Sequence, residues 1–199
     1  MMPVALAIED DLSKAIGKRL LAELPTPVVP NLILQKGGFG YLKSRMNSWR
    51  ELSQRQIVLV LTDLDRVACP VALSADWLGK TPRPANLLLR IAVREVESWV
   101  LADHVAMRQL IGSKGTLPPQ PDDLPDPKQH FLKLAKLAPR PIRQDLVKES
   151  GAVASQGMGY NACLTAWVQS DWNPERASER SPSLARTRRR LKELALQVA

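Results

Sequence analysis

The chain has 199 residues, 45% of them hydrophobic, and a formal charge of +8 from 28 Lys/Arg against 20 Asp/Glu. That length can bury a core without covalent staples, and no apolar stretch approaches the roughly 20 residues a membrane-spanning helix needs. The two cysteines, Cys69 and Cys163, form no ligand-spaced cluster and follow no secretory segment, so a reducing cytoplasm is the expected compartment.

Pro3 to Ile8 reads as a first strand and ends in acid at "EDD" (Glu9, Asp10, Asp11). "DLSKAIGKRLLAEL" then sets Leu12, Ile16, Leu20 and Leu24 at helical spacing and stops before Pro25. "TPVVPNLILQ" predicts a second strand over Val28 to Leu34, and "KGGFG" a flexible turn. A helix over Tyr41 to Leu52 returns the chain to a third strand over Ile57 to Thr62, which runs into Asp63 and Asp65. "VALSADWLG" is a short helix ended by Gly79, and Leu87 to Val93 a fourth strand, followed at once by the helix "REVESWVLADHVAMRQLIG". Strands alternating with helices imply crossover connections, hence an α/β fold with a mainly parallel, Rossmann-like sheet flanked by helices.

The pattern changes after Gly112. "SKGTLPPQPDDLPDPK" (113–128) carries five prolines and reads as an irregular connection. Beyond it only helices are expected, over Gln129 to Leu137, Ile142 to Glu149, Ala162 to Val168 and Ser183 to Val198. The predicted organisation is an α/β domain over 1–112 with the connection and a C-terminal helical extension, 113–199, packed on it. This second part is the more basic, with 14 Lys/Arg against 9 Asp/Glu over 111–199, compared with 14 against 11 over 1–110. That balance suits an anionic partner and equally suits plain solubility.

In open α/β sheets the working groups gather beyond the carboxyl ends of the strands. Three strands here end in acid: Glu9 with Asp10 and Asp11; Asp63 with Asp65; Glu95 and Glu97. Carboxylates held within a few ångström of one another raise each other's pKa or recruit a cation, and Mg²⁺ or Mn²⁺ with oxygen ligands is the usual solution. The structural alternative is that each acid caps the next helix or opens an Asx turn.

A Glu after the first strand, an Asp-x-Asp after a later hydrophobic strand and a further acid resemble the TOPRIM domain of topoisomerases, primases and overcoming-lysogenization-defect type nucleases. More closely, "IEDDLSKAIGKRLL", "LTDLD…CP", "DWL" and "RIAVREVESWVLAD" resemble a small bacterial TOPRIM-like family related to those nucleases, and "DPKQHFLKLA" and "SPSLARTRRRL" extend the likeness over nearly the whole chain. The resemblance implies that Glu9 is the catalytic glutamate, as general acid/base or metal contact, that Asp63 and Asp65 hold the metal, and that Glu97, or alternatively Glu95, completes the shell. It also implies a TOPRIM-type fold and phosphodiester hydrolysis with Mg²⁺ or Mn²⁺, in DNA processing or phage defence. One departure is plain: where topoisomerases and primases carry a glycine after the glutamate, this chain has Asp10.

Topoisomerase chemistry is not expected, because the chain lacks a DNA-gating scaffold around Tyr41 or Tyr160, and nothing suggests the zinc module of a primase. His104 and His130 stand alone, with no Cys/His spacing for zinc, and "KGGFGYLK" lacks the spacing of a Walker loop. In "SPSLARTRRRLKELALQV", Ser181 or Ser183 can cap a helix whose stripe Leu184, Leu191, Leu194 and Val198 turns Arg186, Arg189 and Arg190 outward. Those arginines are either a solvated face or a phosphate-contacting surface, with Arg66 and Arg94 as cations nearer the acids. Two functions stay open: a metal-dependent TOPRIM-type nuclease, or a non-catalytic TOPRIM-like module that binds nucleic acid or a partner such as an ATPase.

Overall fold

The computed structural model describes residues 3–148 and 155–197. Its centre is a four-stranded, wholly parallel sheet of β1 (Val4–Ile8), β2 (Leu32–Gln35), β3 (Ile57–Asp63) and β4 (Leu87–Ala92), in the order β2-β1-β3-β4. The expected α/β class is thus observed, with helices on both faces of the sheet and a long helix at the C-terminus. Val4 to Ile8, Ile57 to Leu61 and Leu87 to Leu89 are all buried, the near-continuous apolar run of strands covered on both faces.

Alternation along each strand divides the core in two. Leu6, Ile8, Leu59, Leu61, Leu88 and Ala92 face the larger cluster, which takes in α1 (Asp11–Ala22), α5 (Glu97–Ala102), α6 (His104–Ile111) and most of the later helices. Ala5, Ala7, Val58, Val60, Leu87 and Leu89 face a smaller one, covered by α2 (Gly38–Ser44), α3 (Met46–Leu52) and α4 (Pro70–Leu78). Gly17 allows α1 to lie close on β1: a Cβ there would stand 2.8 Å from the Leu6 side chain.

After α6 come a 3₁₀ turn (Pro121–Asp123), α7 (Pro127–Ala135), α8 (Arg140–Leu146), an antiparallel pair β5 (Val147–Lys148) and β6 (Ser155–Gln156), α9 (Tyr160–Ser170), α10 (Pro174–Ser178) and α11 (Pro182–Gln197). Phe131, Leu146, Leu164, Trp172 and Leu184 belong to the same core cluster as Leu6 and Trp99, so residues on either side of position 112 share one core. Among the described residues no helix is long and apolar enough to cross a membrane.

Several element boundaries depart from expectation, each for a local reason. β2 starts at Leu32 rather than Val28, because Pro27 and Pro30 cannot donate to a ladder and the Val28 N–H bonds back to Leu21 O. A helix begins at Gly38, inside the stretch expected to be a turn, and the Tyr41 to Leu52 helix is broken at Arg45 (φ −100, ψ 10). The helix expected after β4 is interrupted at Asp103 (φ −84, ψ 83). The helix expected from Ile142 ends at Leu146, where Val147 turns extended (φ −132, ψ 133) to pair with Gln156. Its last expected residue, Glu149, and that of the C-terminal helix, Val198, lie outside the described residues.

Candidate functional site

Because all four strands run the same way, their carboxyl ends share one edge, and Glu9, Asp63, Asp65, Glu95 and Glu97 all follow or end a strand there. The order β2-β1-β3-β4 also fixes where that edge can open. From β1 the chain steps outward to β2, then crosses back over β1 to β3, so the direction of winding reverses between β1 and β3. Such a switch point is where open α/β sheets hold their ligands, and Glu9 and Asp63 flank it.

The three acids of "EDD" separate into three tasks. Asp10 accepts the Ser13 N–H at 2.7 Å and caps α1. Asp11 pairs with Lys14 and accepts from Gln35. Glu9 turns inward: its Oε1 accepts the Thr62 hydroxyl and the Asp63 N–H, the latter at 3.0 Å. Burial raises the Glu9 pKa, opposed by those two donors.

Asp63 is the electrostatic centre. Its Oδ1 accepts the Val96 N–H at 2.9 Å, just before α5 begins. Burial pushes its carboxyl well above the usual carboxylate range, and the negative charges of Glu97 and Glu9 push the same way. Glu97 is 4% exposed and accepts the Tyr160 hydroxyl at 2.9 Å, with Lys128 Nζ 3.6 Å away. Burial raises its pKa as well, and the Lys128 charge opposes the rise. Glu95 is turned elsewhere: it accepts the Lys128 N–H at 2.9 Å, and burial raises its pKa too. Of the two glutamates left open by the sequence, Glu97 is therefore the one whose charge bears most on Asp63.

Asp65 occupies the lip of the site. It is exposed and left-handed (φ 48), facing Arg94, which is also left-handed (φ 58). The two are tied together: Asp65 N–H donates to Arg94 O at 2.8 Å, and Arg94 Nη1 donates to Asp65 O and Val67 O. Two adjoining non-glycine residues in that region, each costing on the order of 1 kcal/mol or more, are a feature concentrated at functional sites. They border a cleft of about 710 Å³ lined by Phe39, Asp65, Arg66, Val67, Arg94, Glu95, Pro125 and Asp126. Arg66 and Arg94 thus line the same cleft as Asp65 and Glu95.

The C-terminal arginines are divided. Arg186 and Arg190, one turn apart on α11, follow at helical spacing from Ser183, which meets the Val93 N–H at the end of β4, and so share the flank of α11 turned to that strand. Arg189 lies on the other flank, beside Ser178, Arg188 and Lys192, and is 3.8 Å from Glu193. Arg188 is 9% exposed and bonds both oxygens of Glu23. Ser181 caps α11 through the Leu184 N–H. Ser183 Oγ accepts from Trp99 Nε1 at 2.7 Å, and Asp122 accepts from both serines.

The donor set suits a hard divalent cation: Glu9, Asp63 and Glu97 offer carboxylate oxygens, and each has one oxygen outside the hydrogen bonds named above. Among the described residues, however, no three His, Cys, Asp or Glu side chains stand close enough together to enclose an ion. Mg²⁺ is compatible with such a site, because it commonly takes only one or two carboxylates and completes its octahedron with water and substrate phosphate. Thr62, Lys128 and Tyr160, which the sequence did not single out for the site, complete its surroundings. A comparison with protein-family models, with curated proteins and with solved structures finds no match for this chain.

Proposed function

We propose that the protein is a Mg²⁺- or Mn²⁺-dependent nuclease of TOPRIM type that hydrolyses phosphodiesters at the carboxyl edge of the sheet. The observation that carries this reading is the meeting of Glu9 and Asp63 at the β1/β3 switch point, both with raised proton affinity. A capping role alone gives no reason to bury like charges together. Asp63 and Glu97 would hold the ion, with water and substrate phosphate completing its shell and Asp65 at the mouth; when bound, it would polarise the phosphate and lower the pKa of water. Glu9 Oε2, which lies outside the hydrogen bonds named above, would take a proton from the attacking water while Oε1 stays anchored by Thr62 and the Asp63 N–H. The water oxygen bonds to phosphorus, the bond to the leaving oxygen breaks, and that oxygen takes up a proton from solvent. Arg66 and Arg94, on the cleft wall, would meet the phosphate.

A second reading is favoured by one observation: Asp63 Oδ1 bonds the Val96 N–H and Asp10 caps α1, bonds that purely structural acids would make. On that reading the edge binds nucleic acid or a partner ATPase without cleaving. End-labelled DNA and RNA incubated with Mn²⁺ or Mg²⁺ separate the two. The nuclease reading expects cleavage that Glu9→Gln and Asp63→Asn each lower by about 100-fold or more, and Mn²⁺ binding, read by calorimetry, that Asp63→Asn/Asp65→Asn abolishes. Cleavage unchanged in both single variants, or no cleavage by the parent with either ion, would remove it.

A further inference from the structure

The edge strand β4 carries a charge arrangement outside the carboxylate site. Arg90 shares the face of Leu88 and Ala92, the face over which α11 lies, and is half-buried there. α11 begins beside the carboxyl end of β4, where Ser183 Oγ meets the Val93 N–H at 3.4 Å and Trp99 Nε1 at 2.7 Å, and it passes Arg90 with Arg186 and Arg190 on its near flank. Arg83, exposed in the loop before β4, completes the group from the other end of the strand.

Four guanidinium groups are thus gathered along one strand, and they are poorly neutralised. Among the described residues, Arg83, Arg90 and Arg186 make no ion pair, and Arg190 reaches one carboxylate oxygen, Glu193 Oε2, at 3.3 Å. Burial lowers the Arg90 guanidinium to about 10, with the charges of Arg83, Arg190 and Arg186 acting the same way and Glu193 opposing. Arg188, on the same helix, shows the contrast, since it is buried against both oxygens of Glu23. A fold that pairs Arg188 fully yet leaves Arg83, Arg90 and Arg186 without an ion pair among the described residues suits a polyanion along β4.

We propose that Arg83, Arg90, Arg186 and Arg190 form a strip along β4 that binds the phosphate backbone of a nucleic-acid strand and leads it to the carboxyl edge of the sheet. A linear polyanion matches a linear row better than a planar lipid surface does, and the row runs from the Arg83 loop to the start of α11, close to Glu95 and Arg94. The inference rests on the nuclease reading only for where the strand goes. Binding itself needs no divalent ion.

The test is fluorescence anisotropy of a labelled single-stranded DNA oligonucleotide over a salt series, in EDTA so that cleavage plays no part. Arg83→Gln/Arg186→Gln/Arg190→Gln should raise Kd about tenfold or more and lower the slope of log affinity against log salt by about 2, three charges at roughly 0.7 each. Lys18→Gln/Arg55→Gln/Lys133→Gln removes the same charge from other exposed sites and should change Kd less than about threefold. Melting curves check folding, and Arg83→Gln/Arg186→Gln repeats the measurement with two exposed positions should the triple variant melt early. Equal losses in the strip and control variants, an unchanged Kd and slope in the strip variant, or no binding by the parent at low salt would overturn the proposal. So would a strip variant that loses phosphatidylserine vesicles while keeping DNA. Binding in EDTA, together with no cleavage when Mn²⁺ or Mg²⁺ is supplied, would leave the strip standing and remove only the nuclease reading.

Discussion

Asp63 carries a penalty that its replacement should relieve. Its pKa is raised by burial and by Glu97 and Glu9, so the folded protein holds a proton that the unfolded chain releases near pH ~4. Between the unfolded value and the higher folded one the native state binds more protons, and stability falls as pH rises through that window. Asp63→Asn keeps an oxygen for the Val96 N–H and removes the charge. It should stabilise the metal-free protein at neutral pH, and the gain should vanish as pH falls to about 4. Urea unfolding across that range measures it; a variant no more stable than the parent at neutral pH would show that Asp63 is not strained by its neighbours. Asp63 was legible because a strand ending on acid is a local pattern. Tyr160 and Lys128 were not, since Tyr160 meets Glu97 across 63 residues of chain, and no local periodicity records a contact made only when α9 and α7 close over α5.

The same limit appears among the elements. Strands β1, β3 and β4 were readable because both sheet faces are covered and their apolar runs are unbroken. The break between α5 and α6 was not, because its cause is a tertiary ion pair. Asp103, fully buried, caps α6 through the Ala106 N–H, accepts the Asn173 N–H at 2.8 Å, and receives both Nε and Nη2 of Arg176 at 2.9 and 2.7 Å. The carboxylate thereby joins α5, α6 and α10. Removing the cation alone strands a buried charge, so Arg176→Leu should cost about 3 kcal/mol. Adding Asp103→Asn should recover part of that loss. Urea denaturation of the single and double variants gives the coupling; strictly additive losses would show that the pair does not act as a unit.

At the scale of the whole molecule, the sheet and the helices after Gly112 complete one another. α5 is buried from Glu97 to Ala102, and its cover is supplied from far along the chain: Trp172 Nε1 donates to Trp99 O at 3.0 Å, Ser183 receives Trp99 Nε1, and Tyr160 donates to Glu97. α1 is held in the same way, with Gln169 Nε2 on Ala15 O and Arg19 Nε on Trp172 O. A fragment ending at Gly112 would expose Leu12, Ile16, Trp99, Val100 and Leu101, large side chains whose burial contributes on the order of 1.5–3 kcal/mol each. That loss is as large as the margin of a typical domain, about 5–15 kcal/mol. Residues 1–112 expressed alone should therefore show no cooperative thermal transition by circular dichroism and should bind a hydrophobic dye, whereas the full chain should melt in one step. A fragment that melts cooperatively would mean that the sheet and the smaller core, built from Trp49, Leu73, Trp77 and the opposite faces of the strands, suffice to fold it. In that case the later helices would serve the site, through Tyr160 and Lys128, without being needed to hold the sheet.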